Sequence, residues 1–196
     1  MLGAVVVDVV SDIVCPWCYI GKRRLEAAIA QMQEADPGLL FEIRWHPFQL
    51  NPDLPEQGIP REEYVARKFG ARGKGINERV VMVGRQVGIP FAYEKMKVQP
   101  NTLNAHRLMH YAEGSGKQDA LSEELFKAHF TEGANLTDKG TLADVAARAG
   151  LDRKAVAGYL AGDEDRALIQ KADVEARGAG IGGGPVFIFN RKVGVS

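Results

Sequence analysis

Residues 4–10 are almost all valine, broken once by Asp8. A short β-branched run of this kind predicts a strand buried on both faces. From Pro16 to about Met32 the apolar positions change to helical spacing. Ile20, Leu25, Ala28, Ile29 and Met32 recur three and four apart, while Lys22, Arg23, Arg24 and Glu26 fall mostly off that face. Pro16 suits the first helical position, where a missing N–H costs little. Asp36-Pro37-Gly38 reads as a turn. Over Leu39–Phe48, Leu39, Phe41, Ile43 and Trp45 alternate with Leu40, Glu42, Arg44 and His46, the period of a strand. The first fifty residues therefore predict a βαβ unit with a right-handed crossover.

Residues 49–60 carry three prolines and read as a loop. Helical periodicity then predicts helices over 61–70, 75–87, 101–114, 117–130, 138–149 and 152–160, with no strand among them. Asn101-Thr102, Thr137-Asp138 and Asp152 are cap-type residues at three of the starts. A further helix over 163–177 is stopped by Gly178 and Gly180. Gly182-Gly183-Gly184-Pro185 leads into an apolar strand, Val186–Phe189, and a last short strand at Val193–Val195. The pattern is β-α-β, a helical block, then α-β-β. It predicts an α/β fold in two parts: a discontinuous domain of residues 1–60 and 163–196, and an inserted all-helical domain over 61–162.

The chain has 196 residues, 45% hydrophobic and 26% charged, enough to bury a core without staples. With 25 basic and 25 acidic residues there is no basic excess, which argues against a nucleic-acid partner. No apolar run approaches the roughly 18–20 residues needed to cross a bilayer, so no membrane partner is expected. The segment from Met1 to Val10 lacks a basic start and runs directly into Ser11-Asp12 and the cysteines. It reads as a first strand and not as a cleaved leader, which predicts a cytosolic protein.

Composition changes the picture most at cysteine, of which there are two, Cys15 and Cys18. A bridge closing so short a loop removes little unfolded-chain entropy, so it is a poor staple, and stable structural disulfides are rare in the cytosol. Metal binding, redox chemistry or an inert pair remain. Zinc needs about four ligands. The histidines are His46, His106, His110 and His129, of which His106 and His110 share a predicted helix face. The placement of Cys15-Pro16-Trp17-Cys18 between a strand and a helix favours redox chemistry. Unpaired N–H groups and the macrodipole at a helix start stabilise a thiolate at Cys15. Cys18, one turn in, is positioned to resolve a mixed disulfide formed at Cys15. Pro16 and Trp17 fill the ring between them.

Five blocks spread over the chain carry a family resemblance. They are Ser11–Gly21, Trp45–Pro52, Pro100–Arg107, Phe130–Gly133 and Pro185–Asn190. Together they resemble the FrnE-like branch of the DsbA-type thiol–disulfide oxidoreductases. That resemblance implies a thioredoxin-like domain with a large inserted all-helical domain. It also implies dithiol–disulfide exchange through Cys15 and Cys18 with protein or small-molecule thiol and disulfide substrates. Gly184-Pro185 then corresponds to the cis-proline segment facing the cysteines. No cofactor is implied, although glutathione could serve as co-substrate.

The chain is also similar to 2-hydroxychromene-2-carboxylate isomerase and kappa-class glutathione transferase, which carry serine where Cys15 stands. A glutathione-dependent isomerase or transferase is the alternative this implies; a binding module whose cysteines sense oxidation is a third. The resemblance further implies that Asn51, Asn101, Thr102 and His106 line a pocket near Cys15. As residues alone, Asn101 and Thr102 read equally as helix caps and His106 as an interdomain contact. Two departures carry expectations. Gly184 replaces the usual valine and should loosen the shield over the cysteines. The chain also stops where relatives continue into another helix, so one sheet face should expose apolar residues, either in a truncated chain or under a partner subunit of a homodimer.

Overall fold

The computed structural model describes residues 3–196; Met1 and Leu2 of the segment read above as a first strand lie outside the described residues. The valine run forms β1 (Val5–Ser11), and α1 (Pro16–Ala35) follows after the cysteine turn. Strand β2 (Phe41–Pro47) pairs parallel to β1, with Val7 opposite Ile43 and Val9 opposite Trp45. These four side chains share one sheet face, whereas Asp8 and Val10 share the other with Arg44 and His46. β1 is buried on both faces along most of its length because helices cover both.

The chain next forms β3 (Ile59–Pro60), α2 (Arg61–Phe69), α3 (Gly73–Gln86) and β4 (Val98–Gln99). β3 and β4 pair antiparallel, which corrects the expectation of a strand-free block. A two-residue ladder beside Pro60 and Pro100 has no alternation to reveal it. Helices α4 (Leu103–Glu113), α5 (Gln118–Phe130), α6 (Lys139–Arg148) and α7 (Arg153–Ala161) complete the inserted helical block. Asp138 and Asp152 cap α6 and α7 as expected, accepting from the N–H of Thr141 and Ala155. Helix α8 (Arg166–Gly178) returns to the sheet, and β5 (Val186–Phe189) and β6 (Val193–Val195) finish it. The sheet order is β2-β1-β5-β6, with β5 antiparallel to β1 and to β6. This is a thioredoxin-like sheet carrying a large helical insertion.

Two ties hold the insertion in place. Tyr19 of α1 stacks on Phe126 of α5 at 5.0 Å, and Lys22 is buried among Glu26, Asp119 and Glu123. Arg107 of α4, fully buried, donates to the carbonyls of Tyr159, Gly162 and Glu164 and so fixes the α7–α8 connection. The far half of α1 departs from its expected apolar face: Ala28 and Met32 are exposed. Beside it β5 is half-buried and β6 exposed, and an open apolar groove lies between α1 and the β5–β6 hairpin.

Candidate active site

Cys15 is the N-cap of α1, with extended backbone and no side-chain cap. Its N–H donates to the Asp12 carbonyl at 3.1 Å, which closes the turn between strand and helix. Pro16 occupies the first helical position, as its lack of a donor allows. The Cys15 carbonyl accepts from the N–H of Cys18 at 3.1 Å, placing the second thiol one turn in and fully buried. Both thiols are free.

Their environments separate them. A hydrogen bond from the Cys18 thiol lowers the Cys15 pKa, and the backbone N–H groups of Cys18 and Trp17 add to it; burial and the charge of Asp12 oppose this. The net direction is down. Burial pushes the Cys18 thiol well up, reinforced by its hydrogen bond and charge relation to Cys15 and by Asp12. The opposed shifts favour the thiolate at Cys15 over Cys18.

The Gly184–Pro185 peptide bond is cis, and the Gly184 carbonyl lies 3.5 Å from Cys15 Sγ. Gly184 leaves no gap, contrary to the looser shield expected of it. A Cβ there would stand 2.8 Å from Cys18 Sγ and 3.4 Å from the Val10 carbonyl oxygen. The bare backbone is itself the cover. Gly21 plays the matching part on α1, since a Cβ would meet the Pro185 ring at 2.9 Å and the Phe187 ring at 3.0 Å. Two glycines thus let the proline strand lie against the cysteine helix. Trp17 lines the open groove beside Gly184 and Pro185.

The four residues expected in a pocket are divided. His106 Nε2 lies 3.0 Å from Asp12 Oδ1, both buried, and Asp12 Oδ2 accepts from the Leu50 N–H at 2.8 Å. Asn101 accepts from the Leu103 N–H and donates to the Leu54 carbonyl, tying the start of α4 to the loop after β2. Thr102 is the buried N-cap of α4 and makes no side-chain cap bond. Asn51 accepts from Lys68 Nζ at 3.4 Å, and its Nδ2 is buried without a partner. Of the four, only His106 lines the partly open cleft between the sheet and helices α4, α5 and α8. His110 turns to Glu113 instead, and among the described residues no three His, Cys, Asp or Glu side chains converge as a metal site.

Sequence reasoning missed Asp12 and Gly21. The signal for Asp12 was an acidic residue three positions before the first thiol. For Gly21 it was a glycine inside a helix, which costs about 1 kcal/mol and so marks a close approach.

Comparison with known proteins places this geometry. A solved structure from Streptomyces coelicolor, described as a probable DsbA oxidoreductase (SCO1869), superposes with a TM-score of 0.87 at 28% identity, over 98% of this chain and 83% of that one. The cytosolic disulfide reductase DsbM from Pseudomonas aeruginosa, solved with GSH, shares the fold with a TM-score of 0.68 at 17% identity, over 97% of this chain and 89% of that one. The uncharacterized protein YwbO of Bacillus subtilis (strain 168) is 27% identical over 150 residues, 74% of this chain and 66% of that protein's length. The model of the DSBA-like thioredoxin domain matches residues 6–196. The chain belongs to the DSBA-like thioredoxin domain family.

Proposed function

We propose that the protein exchanges a Cys15–Cys18 dithiol for disulfides in peptide or small-thiol substrates, working as a reductase or isomerase in the cytosol. The observation that carries this is the opposed shift of the two thiols, Cys15 down and Cys18 well up. The Cys15 thiolate attacks a substrate disulfide; the Cys15–substrate S–S bond forms and one substrate thiolate leaves. Cys18 then loses its proton and attacks the Cys15 sulfur. The Cys15–Cys18 bond forms, the second substrate thiolate leaves, and two electrons have passed from protein to substrate. An outside thiol restores the dithiol, and glutathione is the candidate to test first, because the neighbouring disulfide reductase was solved with GSH.

The test is turbidimetric reduction of insulin, driven by glutathione or dithiothreitol, with wild type and Cys15→Ser. Wild type accelerates precipitation and Cys15→Ser does not. Equal rates with the two proteins overturn the proposal.

A further inference from the structure

The open apolar groove between α1 and the β5–β6 hairpin has a volume of about 940 Å3. Trp17, Gly21, Arg24 and Ala28 line it from one face of α1. Gly184 and Pro185 line it from the other side, so the groove is continuous with the backbone that covers Cys15. Leu25, Ile181, Phe187, Phe189 and Val195 supply further apolar wall. An open apolar trough beside a reactive thiol suits an extended polypeptide segment.

Among the described residues, Arg24 is the one charged side chain that lines this groove. Its neighbours Lys22 and Arg23 take up the carboxylates of Glu26, Asp119 and Glu123. Arg24 lines the groove instead, and no carboxylate, that of the last residue Ser196 included, comes within 4.0 Å of its guanidinium. Arg79 of α3 lies over the Trp17 ring at 5.9 Å and likewise has no carboxylate partner. An apolar groove with unmatched cations and no Asp or Glu side chain is complementary to an acidic peptide and repels a basic one.

We infer that the groove selects apolar disulfide-bearing peptides with an acidic residue about four positions from the reacting cysteine, whose carboxylate pairs with Arg24. The inference rests on the disulfide exchange proposed above and names its substrate class. The position follows from spacing. Arg24 is nine residues along α1 from Cys15. At about 1.5 Å per helical residue that is roughly 13–14 Å, which an extended peptide covers in about four residues of about 3.3 Å each. Residues four apart also share a face of an extended chain, so the acidic side chain points to the same wall as the cysteine.

The probes are three symmetric disulfides, each of two identical peptides with a central cysteine, an alanine background, and Glu, Gln or Lys four positions to either side. Each is mixed with reduced wild type in single turnover. The Cys15 thiolate bonds to one peptide sulfur and the other peptide leaves as a thiolate; Cys18 then displaces the bound peptide. Released thiol is read by acid quench and chromatography. At low salt the Glu peptide reacts about threefold or more faster than the Lys peptide, with Gln between them, and high salt narrows the spread. Arg24→Lys keeps this order and Arg24→Glu reverses it; the side chain is exposed, so neither change disturbs the core. Equal rates for the three peptides, a preference for lysine in wild type, or an order unaltered in Arg24→Glu overturns the inference and leaves disulfide exchange standing. Reduction of hydroxyethyl disulfide but of none of the peptides does the same. Failure to reduce hydroxyethyl disulfide as well overturns disulfide exchange, and the inference with it.

Discussion

Gly184→Ala adds one methyl group at the tightest point of the site. The backbone at Gly184 lies outside the left-handed region that disfavours side chains, so the effect comes from contact alone. The new Cβ would stand 2.8 Å from Cys18 Sγ, where ordinary contacts begin at 3.4 Å, so the sulfur or the proline loop must give by about half an ångström or more. Overpacking of this kind costs about 1–3 kcal/mol. For a chain of this length that lowers Tm by about 2–12 °C. Cys18 cannot retreat freely, since it is buried on every side. Its displacement weakens the hydrogen bond to Cys15, the largest influence lowering that thiol, so the Cys15 pKa rises. The assays are thermal melting of the reduced protein and the pH dependence of Cys15 alkylation by iodoacetamide. Gly183→Ala is the control, because a Cβ there meets nothing within 4 Å. Variants that melt alike and alkylate alike would show that the close contact at Gly184 has no such effect.

Three other substitutions test the electrostatics and the core. Asp12→Asn removes a negative charge that opposes both thiolates, so the alkylation profile of Cys15 moves to lower pH; a profile that stays in place contradicts this. Cys18→Ala removes the hydrogen bond that most lowers the Cys15 pKa, and the profile moves to higher pH as titration with iodoacetamide will read. His129 is wholly buried, and burial, with Arg61 nearby, holds its pKa down to about 3 against 6.5 when free. Between those values the unfolded chain binds the extra proton, so this contribution is whole above pH 6.5 and is lost as pH falls toward 3, by up to a few kcal/mol. His129→Leu should therefore flatten the fall in urea stability between pH 6.5 and 4; an unchanged slope counts against it.

What could be read from the chain was what local pattern controls. The valine run, the alternation through Trp45, the caps at Asp138 and Asp152 and the glycine stop after α8 all lie where their periodicity or cap chemistry puts them. What could not be read depends on partners distant in sequence. Asp12 gains its setting from His106, 94 residues away, and Gly184 from a sulfur 166 positions earlier. Lys22 looked like a solvated position and is buried, because α5 brings Asp119 and Glu123 to it. Asn101 and Asn51, grouped with His106 by resemblance, instead serve the loop after β2 and Lys68. The 59–60 and 98–99 pairing is too short to carry a pattern.

Trapping with glutathione disulfide separates the attacking thiol from the resolving one. Reduced Cys18→Ser is mixed with glutathione disulfide at pH 7 and followed by mass spectrometry with peptide mapping, beside Cys15→Ser and wild type. A lasting glutathionyl adduct is expected on Cys15 in Cys18→Ser, and rapid passage of wild type to the Cys15–Cys18 disulfide. Little or no adduct is expected on Cys18 in Cys15→Ser, because that thiol is buried and its pKa is raised. Adducts forming equally fast on Cys18 in Cys15→Ser, or none forming on Cys15, would contradict this assignment of the two thiols.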